Sequence, residues 1–195
     1  MGALSEIGIM LVKTLAEMYL FIVILRFLFQ VVRADFYNPL SQFVVKATNP
    51  PLKPLRRIIP GVAGIDFASV VLALLIQWFS MQAIALILGA GIIPPISAIL
   101  WSLIGTISLV VHIYFWGMLA VIIVGWVAPQ SYHPLLILLR QIIEPAMTPF
   151  RKLLPSMGGL DLSPILAFLA LNVIRIVIDH AAGATGLPSQ IVLGI

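Results

Sequence analysis

NPPLKPLRRIIPGVAGID at residues 49–66 and EPAMTPFRKLLPSMGGLD at residues 144–161 share one proline register. Pro50, Pro54, Arg56, Pro60, Gly64 and Asp66 fall on Pro145, Pro149, Arg151, Pro155, Gly159 and Asp161 at a constant offset of 95. At the same offset Tyr19 meets Tyr114, Tyr37 meets Tyr132, and Pro39-Leu40 meets Pro134-Leu135. No gap is needed, and chance does not readily produce such a match, so the chain reads as two copies of one unit. Outward from each motif the sequence turns apolar. Stretches run from about Leu4 to Val32 and from Asp66 to about Leu88 around the first motif. Around the second they run from about Ile96 to Val127 and from Asp161 to about Ile178. A helix needs about 20 residues to cross the hydrocarbon core, so the longer first and third stretches should tilt or extend into the interface.

The expected fold is therefore all-α integral membrane: four transmembrane helices from two tandem, parallel helix–loop–helix repeats, residues 1–95 and 96–195. Their connecting loops, 33–65 and 128–160, are amphipathic, rich in Pro and Arg, and suited to the interface. Two helices per unit return the chain to its starting side, which predicts a pseudo-two-fold axis along the membrane normal. Gly89-Ala90-Gly91 and Pro94-Pro95 supply the turn between the units.

Composition agrees. Hydrophobic residues make up 62% and charged residues 9%, against about 45–50% and about 25% in soluble domains. With no cysteine, disulfides, thiol catalysis and thiolate metal sites are excluded. MGALSEIGIM has no basic start, and no small-residue cleavage site follows, so a cleavable signal peptide is not expected. The net charge of +4 points to loop asymmetry and anionic headgroups. Arg33, Lys46, Lys53, Arg56 and Arg57 lie in the first loop, and Arg140, Arg151 and Lys152 in the second. Lys13, Arg26 and Arg175 lie within spans, and residues 1–6, 89–95 and 179–195 carry no Lys or Arg. The positive-inside rule thus places both loops in the cytoplasm and both termini outside. The expected location is the bacterial inner membrane.

Asn38-Pro39 should cap and start a short amphipathic helix, with Leu40, Phe43, Val44 and Ala47 on its apolar side. Pro50, Pro51, Pro54 and Pro60 are spaced too closely for a regular helix to continue. Arg56, Arg57, Arg151 and Lys152 fall between apolar pairs, where they can hold lipid phosphates; a solvated loop that only enforces topology is the plainer alternative. Asp66 and Asp161 are expected as helix caps at the starts of the second and fourth spans. A salt bridge to Arg56 or Arg151 is compatible with capping, and a carboxylate pair for proton or ion passage is the alternative.

Ionisable residues within a span are costly and point to function by default. Arg26 lies near the cytoplasmic end and should snorkel. Lys13 and Glu17 are one turn apart, as are Arg175 and Asp179, and His112 holds the repeat position of Glu17. These five are expected to form one polar cluster between the units; the competing reading is separate snorkelling with intrahelical pairs. Gln77 and Asn172 are also repeat equivalents. No histidine pair has ligand spacing, so neither haem nor metal nor another cofactor is expected. No P-loop, GxSxG, HExxH or dinucleotide fingerprint occurs, and nucleic-acid binding is not expected.

In its repeated motif the chain resembles the YggT family of bacterial integral membrane proteins, in the two-repeat form typical of proteobacteria. One-repeat members occur in Gram-positive bacteria, cyanobacteria and plastids. The resemblance implies roles in membrane organisation: osmotic-stress tolerance, cell or nucleoid partitioning, and in plastids cytochrome maturation by haem attachment. It brings no firm enzymatic activity. The expectation is a non-enzymatic organising or complex-assembly factor whose cytoplasmic loops contact anionic membrane lipids and a membrane protein partner. A small ion or osmolyte transporter or channel, built around the polar cluster, is the alternative. A membrane enzyme would lack a nucleophile–base pair. Self-association into a homo-oligomer stays open.

Overall fold

A computed structural model describes residues 2–62, 64–128, 130–153 and 161–195. Repeat positions Pro155 and Gly159 lie outside the described residues. Six helices follow in order: α1 (Ala3–Val31), α2 (Pro39–Ile58), α3 (Phe67–Ile87), α4 (Pro95–Val127), α5 (Pro134–Leu153) and α6 (Ser163–Ala184). Helices α1, α3, α4 and α6 are long and apolar enough to cross a membrane, and Leu15, Leu86, Ile99 and Ile165 point outward from them, as lipid contact requires. The fold is an all-α membrane protein of two repeats, α1–α2–α3 and α4–α5–α6. The last span runs to Ala184, beyond Ile178, because Asp179 and His180 end the apolar stretch without ending the helix.

Side-chain pairing fixes the directions. Gly8 near the start of α1 faces Ile87 at the end of α3, so these helices are antiparallel. The turn into α4 is held by Gln82, whose amide exchanges two hydrogen bonds of 3.1 Å with the Ile93 backbone. That tight turn reverses the chain again, so α4 runs parallel to α1, and Phe21, Leu25 and Phe29 of α1 line one cleft with Leu109, Ile113 and Trp116 of α4. The repeats are therefore parallel, and α2 and α5 sit at the same end. Asn38 Nδ2 donates to Pro134 O at 2.8 Å, and Asp35 N donates to Gln141 Oε1 at 3.1 Å, tying the two interfacial segments together. Asn38 also caps α2, accepting from Leu40 N at 3.0 Å.

The expected interruption at the prolines does not occur. Helix α2 runs unbroken through Pro50, Pro51 and Pro54, and α5 through Pro145 and Pro149. Each proline removes a donor from the carbonyl four residues earlier. In α2 the carbonyl freed by Pro51 is Ala47 O, which accepts from the Tyr19 hydroxyl at 3.4 Å. Pro50 and Pro54 lie on the exposed side, where water can serve the remaining carbonyls. Ser41, Val44, Thr48 and Leu52 form the opposite, buried stripe, with the Thr48 hydroxyl returned to Val44 O at 2.7 Å. The amphipathic face continues through the prolines because burial of this stripe offsets the missing bonds.

The core near α2 and α5 joins Leu20, Val23, Ile24, Leu28, Leu72, Ile113, Met118, Ile142 and Met147. A second core at the other end contains Met81, Ile84, Ala98 and two residues of the C-terminal segment, Ile191 and Val192. That segment folds back between α3 and α4. Gln77 Nε2 donates to Leu193 O at 2.9 Å, Leu193 N donates to Gln77 Oε1 at 3.1 Å, and Ser108 Oγ donates to Gly194 O at 2.7 Å. Gly105 admits it: a Cβ there would stand 2.6 Å from Gln77 Nε2 and 2.8 Å from Leu193 O.

Candidate functional site

The repeated Arg and Asp of the opening motif meet in both halves. At the end of α2, Arg56 Nε lies 3.3 Å from Asp66 Oδ1 and its Nη2 lies 2.5 Å from Oδ2. Arg151 Nε lies 3.1 Å from Asp161 Oδ2, and a second guanidinium nitrogen pairs with Glu144. Each pair latches an interfacial helix to the start of the following span. The two latches differ in setting. Asp66 is buried, its side chain 4% exposed, whereas the Asp161 side chain is 47% exposed.

Burial alone would raise the Asp66 carboxyl. Hydrogen bonds from Arg56 and the Ser69 hydroxyl, with the charges of Arg56 and Arg26, outweigh it and hold the group below the usual carboxylate range. Asp161 is also held low, first by the Ser163 hydroxyl, against desolvation, with help from the Ser163 amide and Arg151.

These contacts revise the capping expectation. Asp66 occupies the N-cap position of α3, but its side chain caps no backbone amide; it is committed to Arg56 and to the Ser69 hydroxyl at 2.5 Å. A guanidinium is a stronger partner for a buried carboxylate than a neutral amide. Asp161 sits one residue before the N-cap Leu162 and does accept from Ser163 N at 2.9 Å. The geometry likewise gives Arg56 and Arg151 carboxylate partners of their own. Arg57 and Lys152 remain exposed beside them, as do Lys46 and Lys53, and among the described residues none of these four forms an ion pair.

Of the five intramembrane polar residues, the structure brings two together. Glu17 and His112 line an open cleft of about 430 Å³ with Phe21, Leu109 and Gly194. Arg175 lies instead over the Phe115 ring, 5.6 Å from its centroid. Asp179 is exposed on the same helix, and Lys13 is half-buried on α1. Among the described residues no ion pair joins any of the five. The reason is topological: α6 packs on α4 and α5, which keeps Arg175 and Asp179 away from α1. Gln77 and Asn172 also part company, the first gripping the C-terminal segment, the second exposed with its amide donating to Phe168 O.

Sequence reasoning missed one group of residues here. Arg26 does not snorkel; it is 9% exposed, and its Nε and Nη1 are buried without a hydrogen-bond partner. The buried Ser41 hydroxyl of α2 is also unpartnered. Only the crossing of α2 over the end of α1 creates this setting, so no local pattern signalled it.

Comparison with known proteins bears on the whole chain. The CCB3/YggT family model matches residues 5–87 and 100–182, once per repeat. An uncharacterized protein of Pseudomonas aeruginosa is 53% identical over 193 residues, covering 98% of each chain. The uncharacterized protein YggT of Escherichia coli is 40% identical over 177 residues, covering 90% of this chain and 91% of its own. A Vibrio alginolyticus protein is 40% identical over 163 residues, covering 83% and 88%. No solved structure matches.

Proposed function

The chain belongs to the CCB3/YggT family, and from that membership we propose that it is a non-enzymatic organising or complex-assembly factor of the bacterial inner membrane, with a role under osmotic stress. Its basic end faces the cytoplasm, contacts anionic headgroups and docks a membrane protein partner. The observation that carries this reading is the pair of latched interfacial helices. They lie at one end of the bundle, tied to each other through Asn38 and Asp35, and hold Lys46, Lys53, Arg57 and Lys152 outward. A rigid basic surface loses little entropy on binding. Each basic residue near an anionic surface contributes about 1 kcal/mol, reduced by salt.

The Lys53→Glu, Arg57→Glu, Lys152→Glu triple variant tests the lipid part. Phosphatidylglycerol enrichment around the protein in mixed nanodiscs should fall at least tenfold relative to wild type. Unchanged enrichment would remove the surface from the account. Photocrosslinking from residues 50–60 should capture one reproducible membrane protein, lost in the same variant.

The shared cleft of Glu17 and His112 favours a second reading, a small transporter or channel. Its neighbour between α1 and α4 is lined, His112 apart, by apolar residues such as Phe21, Leu25, Leu109, Ile113 and Trp116, a poor path for ions. Ion flux into vesicles containing the purified protein should match protein-free vesicles; flux lost in Glu17→Ala would establish the transport reading instead.

A further inference from the structure

We propose that the cavity between α1 and α2 is a discrete anion site that takes one phosphate group, held by Arg26, Arg33 and Ser41. It goes beyond the surface reading above, because it is a single half-open cavity and not a diffuse charged face. The cavity measures about 310 Å³ and is lined by Arg26, Gln30, Arg33 and Ser41 with Phe29 and Phe36. That volume lies at the lower end of the about 300–1,000 Å³ typical of ligand sites.

Three observations point to an anion. Arg26 is nine-tenths buried, with Nε and Nη1 unpartnered. A buried guanidinium without hydrogen bonds is strongly disfavoured, and Asp66 acts on this one through its charge alone, so those donors call for an acceptor of their own. Asp66, whose charge Arg26 feels, has its hydrogen bonds committed to Arg56 and Ser69. From the other wall, Ser41 is 4% exposed with an unpartnered hydroxyl. Water could serve one hydroxyl, but two orphaned guanidinium nitrogens facing a second arginine suit an anion better.

The third observation is Arg33. It follows α1 with φ +52, the one non-glycine residue with positive φ among those described. The turn there, closed by Ala34 N donating to Phe29 O at 2.8 Å, is one that glycine normally serves. A side chain kept in a strained backbone position points to a use for that side chain. Arg33 lines the cavity from its exposed side, so arginine here brings a second positive charge to the site. Two guanidinium groups and a hydroxyl form a donor set suited to tetrahedral phosphate oxygens. The phosphate could come from a lipid headgroup at the interface or from free phosphate, and the two sources separate experimentally.

The full chain, purified free of lipid in non-ionic detergent, is titrated by calorimetry with three probes: inorganic phosphate, short-chain phosphatidylglycerol, and the diacylglycerol of the same chains. One saturable site per chain is expected for a phosphate-bearing probe, with none for diacylglycerol. Binding of phosphatidylglycerol alone assigns a lipid; competition by inorganic phosphate assigns the free ion. Ser41→Ala and Arg33→Gly should weaken binding at least tenfold. Arg33→Gly suits the positive φ and should fold at least as well as wild type, so its loss of binding is not a loss of structure. The Lys53→Glu, Arg57→Glu, Lys152→Glu variant should keep the site, which separates this proposal from the surface reading. Absence of saturable phosphate binding would overturn it, as would binding unchanged by Ser41→Ala and Arg33→Gly, or binding abolished by the surface variant.

Discussion

Arg56→Met is expected to cost about 3–5 kcal/mol of stability, because it leaves a buried carboxylate without its charge partner. Asp66 is 3% exposed and its other side-chain contact is one hydroxyl. The same substitution in the second repeat, Arg151→Met, should cost about 1 kcal/mol or less, since Arg151, Glu144 and Asp161 are 45%, 55% and 47% exposed. One motif thus gives two unequal penalties, decided by burial. Unfolding in mixed micelles of increasing denaturing detergent measures both. The double variant Arg56→Met, Asp66→Leu should recover most of the loss, because an apolar pair asks for no counter-charge. Equal penalties in the two repeats would contradict this account of the latches.

The latch also fixes the sign of an acid response. Asp66 is held below its usual range in the folded chain. It therefore adds stability above the unfolded carboxylate value of about 3.9 and loses it as pH falls through the lower folded value. Acid should weaken the wild type over that window, with a smaller response in the double variant.

Gly105→Ala is expected to cost at least about 3 kcal/mol, from overpacking and from broken hydrogen bonds around a buried amide. Its new Cβ would stand 2.6 Å from both Gln77 Nε2 and Val192 Cγ1. The Leu193 backbone is no freer to retreat, since Gln77 holds it through two hydrogen bonds and Gln77 is itself fully buried. The expected result is release of the segment after Leu187, seen as rapid proteolysis there and a lower Tm. Gly125→Ala in the same helix is the control: nothing lies within 4 Å of its added Cβ, and helix propensity favours alanine by up to about 1 kcal/mol. The two substitutions should have opposite signs.

The four spans and the parallel repeats were legible because lipid demands long apolar runs and because duplication preserved the proline register. Asn38 as a cap was legible from local chemistry. Helix α2 was not, since its continuation past Pro51 rests on burying its stripe against other helices, with Tyr19, 28 residues away in sequence, serving the Ala47 carbonyl. Arg26 was misread for a related reason. An arginine near a span end can reach water when the helix stands alone, but α2 lies across it here. The polar cluster failed to gather as one group because spacing along the sequence does not say which helices become neighbours; α6 chose α4. The C-terminal segment was passed over, although an apolar run beginning at Ile191 after a proline could have suggested that it packs.

The central claim is that both interfacial helices occupy one leaflet, on the cytoplasmic side. The chain has no cysteine, so Lys53→Cys and Lys152→Cys can be probed singly with a membrane-impermeant maleimide, with Ala90→Cys as the opposite-side reporter. The account predicts that Lys53→Cys and Lys152→Cys both stay unlabelled in spheroplasts and both react after permeabilisation, while Ala90→Cys reacts before it. Labelling of Lys53→Cys and Lys152→Cys from opposite sides would contradict it.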